Sequence, residues 1–137
     1  MTAIILMVAS AAIFFVIGTL HLKATFFGSD LTPRDPALQK SMREISPVET
    51  TETNMWRCWI GFNAGFSMGL MLYGLIYGFL AIAHSRLLFS SPYLLIVGLL
   101  MVGGFVALSK AYLFSIPFVI TGISLACYVA SIIVALA

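Results

Sequence analysis

Charge is scarce in this chain, and where it is missing matters as much as how little there is. Of 137 residues only 9% are charged, against about 25% in ordinary soluble domains. All five acids (Asp30, Asp35, Glu44, Glu49 and Glu52) lie between residues 30 and 52, so no carboxylate falls inside a long apolar run. That argues against a proton-coupled or cation-coupled transporter, which needs ionisable groups at membrane depth. A net charge of +2, with bases and acids intermixed, offers no basic surface for nucleic acid, whose binding rests on displacing counterions from phosphates. The two cysteines, Cys58 and Cys127, are not spaced as a zinc pair or a C-x-x-C redox motif and read as small buried hydrophobes. The two histidines, His21 and His84, fall on opposite membrane sides in the topology derived below, so they cannot be two axial ligands of one haem. No nucleophile elbow, phosphate-binding loop or HExxH pattern occurs. No catalytic residue and no metal ligand is therefore assigned. No motif indicates a cofactor either, which leaves a bound lipid, or a magnesium pigment on one histidine, as the compatible ligands.

What is abundant is apolar sequence, at 61% of the chain. A spanning helix needs about twenty predominantly apolar residues, and four segments meet that standard: 3–22, 54–83, 92–110 and 116–136. The first lacks a basic flank and a small-residue cleavage site, so it reads as a retained helix rather than a signal peptide. The expected fold is all-α: one membrane domain over 1–137, a four-transmembrane-helix bundle with a polar, partly helical hairpin at 23–53. Within the hairpin, Asp35-Pro36 reads as a cap followed by a first-turn proline, and Leu38, Met42 and Ile45 recur at helical spacing. Ser46-Pro47-Val48-Glu49 matches a capping box, which predicts that the second long helix begins near Pro47 and runs about 55 Å to Ala83. Ser91-Pro92, and Ser115 ahead of Pro117, read as further helix entries. Short turns at 84–91 and 111–115 make the last three spans antiparallel neighbours.

Orientation follows from the bases at the helix ends. Lys23, Arg34, Lys40, Arg43, Arg57 and Lys110 fall on the hairpin side, and Arg86 alone falls on the other. Because positive loops stay inside, the hairpin is expected in the cytoplasm and both termini outside.

Two groups of residues stand out. Gly61, Gly65 and Gly69 follow one another at four-residue spacing, and Gly74-x-x-x-Gly78 continues the series. Such a ridge lets a second helix approach closely, and packing rather than hydrophobicity joins helices in lipid. Contact within the chain ranks first and contact with another subunit second. Gly98, isolated in its helix, is expected to be the more tolerant of substitution. Thr121, Ser124, Cys127, Tyr128 and Ser131 form a comparable small-polar stripe, read as interhelical packing. The second group is His21 with Trp56, Arg57, Trp59 and Asn63, all expected at one membrane boundary. The tryptophans and the arginine suit the interface unaided, whereas Asn63 lies deeper and needs a partner; His21 is placed either to bond Asn63 or to sit near Glu49 and Glu52.

The segments His21-Leu22-Lys23-Ala24-Thr25-Phe26-Phe27-Gly28, Pro33-Arg34-Asp35-Pro36-Ala37-Leu38 and Met55-Trp56-Arg57-Cys58-Trp59-Ile60-Gly61-Phe62-Asn63 resemble a family of small, uncharacterised bacterial four-helix integral membrane proteins. The resemblance spans nearly the whole chain and implies a shared fold, a bacterial inner membrane and a site on the hairpin side, with no activity to carry over. A looser likeness to the glutathione-using membrane proteins of eicosanoid metabolism stops at architecture, because only Arg57 and Asn63 echo their helix-2 signature and no acid follows. The first functional expectation is a noncatalytic accessory or assembly subunit of a larger membrane complex, with membrane lipids and other subunits as partners. The second is a small-molecule or lipid-binding membrane enzyme using His21, Arg57 and Asn63. A channel or transporter ranks last.

Overall fold

The computed structural model describes residues 1–137 and is helical throughout, with no strand. Helices α1 (Thr2–Phe27), α3 (Met55–Ala83), α5 (Pro92–Tyr112) and α6 (Ser115–Leu136) are each long and apolar enough to cross a membrane. Two short helices, α2 (Pro36–Glu44) and α4 (Ser85–Ser90), lie between them in sequence. The fold class is the all-α, four-span class expected from composition.

Several helix ends differ from expectation, for local reasons. α1 continues past Leu22 to Phe27, where the Thr25 hydroxyl donates to the His21 carbonyl at 2.8 Å and Gly28 closes the last turn on Ala24. Its 26 residues span about 39 Å, more than a hydrocarbon core of about 30 Å. α2 forms as expected, with the Asp35 carboxylate accepting the Ala37 N–H at 2.9 Å and proline at its first position. α3 does not begin at Pro47: the Ser46–Glu49 box is non-helical, and the helix starts at Met55. Thr50, Thr51 and Thr53 are stiff, β-branched residues, and Thr50 Oγ1 takes the Glu52 N–H into a local turn at 3.1 Å, which competes with helix. Asn54 supplies the cap instead, its Oδ1 accepting the Arg57 N–H at 2.9 Å. The Met55 N–H donates to the Ile45 carbonyl at 2.9 Å, drawing together the ends of the intervening loop. The expected 84–91 turn contains α4. Ser91 caps α5 ahead of Pro92, but α6 begins at Ser115 itself, with Phe114 as an N-cap lacking a side-chain bond. Pro117 is tolerated there because first-turn N–H groups have no helical partner.

The chain divides into two compact units, Met1–Val16 with Leu70–Ala137, and Ile17–Gly69. In the first, every long helix segment buries one stripe at helical spacing, in steps of three, four or seven residues. The stripes are Met7, Ser10, Ala11 and Phe14; Leu70, Tyr73, Tyr77 and Ala81; Gly98, Val102 and Ser109; and Thr121, Ser124, Tyr128 and Ser131. The exposed faces are apolar: Ile5, Leu72, Phe79, Ile96, Leu100, Ile123 and Ile133 are all between 51% and 69% exposed. A water-soluble bundle has the opposite distribution, polar outside and apolar within. Small hydroxyl residues facing inward and large aliphatics facing outward are what a hydrocarbon solvent selects.

Two glycines set the close packing of this unit. A Cβ at Gly74 would lie 2.6 Å from Phe15 Cβ and 2.7 Å from the Ala11 carbonyl, so α1 and α3 meet there backbone to backbone. A Cβ at Gly98 would lie 2.6 Å from Tyr77 Cε1 and would also strike the Tyr128 hydroxyl. Gly98 is therefore not the tolerant position its isolation suggested. The two tyrosines pass over it to donate to consecutive carbonyls of α5, Tyr77 to Leu94 and Tyr128 to Leu95, both at 2.7 Å.

Candidate functional site

In the unit formed by Ile17–Gly69, the end of α1, helix α2 and the start of α3 carry the residues singled out at the hairpin side. His21 Nε2 lies 3.1 Å from Asn63 Oδ1. The Asn63 amide nitrogen donates to the Trp59 carbonyl at 2.8 Å, which leaves its oxygen facing the histidine. Nε2 must therefore carry the proton and donate it, since an amide oxygen can only accept. One turn deeper, the Ser67 hydroxyl donates to the Asn63 carbonyl at 2.9 Å, and Phe66 meets the imidazole edge-on at 5.2 Å between centroids. Thus His21 and Asn63 each find a partner inside the unit, as the sequence suggested.

The other three residues do different things. Trp59 donates its indole N–H to the Leu31 carbonyl at 2.9 Å, strapping the first loop onto α3. Trp56 lies beneath the Arg43 guanidinium, 4.9 Å from the ring centroid, which ties the end of α2 to the first turn of α3. Leu38 and Met42 of the α2 stripe, with Leu31, Pro33 and Trp59, line an open hollow of about 420 Å³. The Arg57 side chain is exposed and bonds neither His21 nor Asn63. The expected cluster of five is thus a histidine–asparagine pair, two tryptophan straps and a separate surface arginine. The chain's one ion pair, Lys40 with Glu44 at 3.9 Å, is an exposed i,i+4 pair on α2.

The glycine ridge does not serve contact within the chain at its leading positions. Apart from the adjoining residues and backbone of α3 itself, no atom lies within 4 Å of a Cβ built at Gly61 or Gly65. These glycines, with Cys58, Phe62 and Phe66, border a shallow apolar groove of about 400 Å³ on the surface of α3. The close approach expected of the ridge occurs at Gly74 instead. On α6, Thr121, Ser124 and Ser131 are buried, but only Ser124 reaches another helix: its hydroxyl lies 2.8 Å from the Ser10 hydroxyl and 3.1 Å from the Ser10 carbonyl. Thr121 and Ser131 bond to carbonyls of their own helix.

Sequence reasoning missed the network that Ser124 joins. Ser10 Oγ also lies 3.3 Å from the Tyr73 hydroxyl, Tyr73 stacks on Tyr77 at 4.6 Å, and Tyr77 meets Tyr128 edge-on at 6.2 Å. The available signal was position: Tyr73 and Tyr77 sit well inside a spanning helix, away from the boundaries where tyrosine is usual. Every buried side-chain nitrogen and oxygen in the chain has a hydrogen-bond partner. Compared with protein-family models, with curated proteins and with solved structures, the chain matches none.

Proposed function

We propose that this chain is a noncatalytic accessory or assembly subunit of a larger membrane complex, held to a transmembrane helix of another subunit through the open glycine face of α3. The observation that carries the reading is the contrast among the glycines. Gly74 and Gly98 are filled by neighbours in the chain, whereas Gly61 and Gly65, in register one turn apart, meet nothing. Gly103, Gly104 and Gly122 are equally open, but no two of them stand four residues apart, as Gly61 and Gly65 do. A glycine inside a helix is disfavoured by about 1 kcal/mol relative to alanine, so a pair in register with no contact inside the chain points to a use outside it. Close helix approach is the use glycine serves in lipid.

The buried polar groups support the same reading, because each already has a hydrogen-bond partner within the chain. His21 and Asn63 satisfy each other and Arg57 stands apart, which favours a subunit over an enzyme built on these three residues. The excess of bases on the hairpin side supports a cytoplasmic hairpin with both termini outside, in a bacterial inner membrane as the family resemblance implies. The test is Gly65→Leu in the tagged full chain, extracted in mild detergent. The larger assembly is expected to dissociate while the chain's own thermal stability is not lowered. An assembly that survives intact would refute the glycine face as the joint.

A further inference from the structure

Besides the hairpin hollow and the glycine groove, a third concavity lies wholly in the unit of Met1–Val16 and Leu70–Ala137. It measures about 530 Å³ and is bordered by Ser85, Arg86, Phe89 and Ser90 of α4, by Ile4 near the start of α1 and by Val134 near the end of α6. α4 connects two spanning helices, so it sits at a membrane boundary. Arg86 and Ser90 are one turn apart on the same face of α4, with Phe89 beside them.

The charge here has no answer within the protein. All five acidic side chains lie between residues 30 and 52, so this unit contains no Asp or Glu. Arg86 is exposed and makes neither an ion pair nor a side-chain hydrogen bond. Guanidinium presents paired N–H donors that match two oxygens of one phosphate. The Ser85 hydroxyl borders the same hollow as a short-range donor, while the Ser90 hydroxyl donates to the Leu87 carbonyl at 3.5 Å, and the apolar wall of Phe89, Ile4 and Val134 suits the glycerol and upper acyl carbons attached to such a phosphate. We infer that the hollow around α4 binds the phosphate of one membrane phospholipid, with Arg86 as its anchor. This site is independent of the glycine face on α3, and either can fail without the other.

The experiment is native mass spectrometry of the delipidated full chain in detergent, titrated with phosphatidylglycerol, with diacylglycerol of the same acyl chains, and with inorganic phosphate. Phosphatidylglycerol is expected to give a single retained adduct, with affinity falling roughly tenfold in Arg86→Gln, as loss of a charge-assisted pair implies. Arg86→Lys, which keeps the charge but not the paired donors, should fall between the two. Diacylglycerol should bind more weakly and be indifferent to the substitution. Lys110→Gln removes the other lysine or arginine of this unit and should leave the adduct unchanged. Equal loss in Lys110→Gln would reduce the effect to general charge attraction and overturn the site. Unchanged binding in Arg86→Gln would overturn it as well. Arg86-dependent binding of inorganic phosphate as tight as that of the lipid would assign the hollow to free phosphate and overturn its assignment to a phospholipid.

Discussion

Replacing Gly98 by alanine adds one methyl group, and the structure fixes where it goes. The new Cβ would sit 2.6 Å from Cε1 and 2.8 Å from Cζ of Tyr77, and against the Tyr128 hydroxyl. Neither ring can retreat without releasing its 2.7 Å hydrogen bond to α5. Interhelical hydrogen bonds in membranes average about 0.6 kcal/mol, so losing two costs about 1.2 kcal/mol. Forcing a methyl into a filled site adds about 1–3 kcal/mol. The better helix propensity of alanine returns about 1 kcal/mol, leaving a net loss on the order of 1–3 kcal/mol. At Gly65 nothing stands within 4 Å, so Gly65→Ala should keep the propensity gain alone and stabilise the isolated chain by up to about 1 kcal/mol. Unfolding of the purified chain by sodium dodecyl sulfate in mixed micelles, followed by far-ultraviolet circular dichroism, reads both variants on one scale. Equal midpoints for the two variants would refute the assignment of Gly98 as a packing point and of Gly65 as an open one.

The pair at the hairpin side should behave as one hydrogen bond: His21→Ala and Asn63→Ala are each expected to lower stability modestly, and the double variant to lose about 0.6 kcal/mol less than their sum. Strict additivity in the same unfolding assay would mean the 3.1 Å contact contributes nothing. For orientation, cysteines placed at Gln39 and at Ser85 in a chain freed of Cys58 and Cys127 should react with a membrane-impermeant thiol reagent from opposite sides, Gln39 from the cytoplasm. Labelling of Gln39 in intact cells would invert the proposed topology.

The spans were legible because hydrocarbon demands about twenty apolar residues whatever their order, and residues 92–110 and 116–136 fall within one to two residues of α5 and α6. Helix α2 was legible because Asp35-Pro36 fixes a cap and a first turn chemically. Which face each span buries was harder to read. In a soluble helix the polar side marks the solvent, but these helices are apolar on nearly every side, and the marker is the small residue that admits a neighbour. That rule located the α6 stripe from Thr121, Ser124 and Ser131, yet it weighted the three-glycine series above Gly98, whose neighbours are two aromatic rings contributed from other helices. Long-range partners of that kind leave no local pattern. The start of α3 was misread because Ser46-Pro47-Val48-Glu49 is a sound local entry signal, overridden by the threonines that follow and by the Asn54 cap. His21 and Asn63 were paired correctly because an amide inside a spanning helix has few candidates to bond with.

The central claim is that another subunit's helix occupies the face of Gly61 and Gly65, and photocrosslinking in intact membranes tests it most directly. A photoreactive residue at Phe62, which is 78% exposed beside that groove, is compared with one at Ile123, 51% exposed on α6. The account predicts one discrete protein adduct from position 62, abolished by Gly65→Leu, and only lipid adducts from position 123. Lipid adducts alone from position 62, or the same protein adduct from both positions, would contradict it.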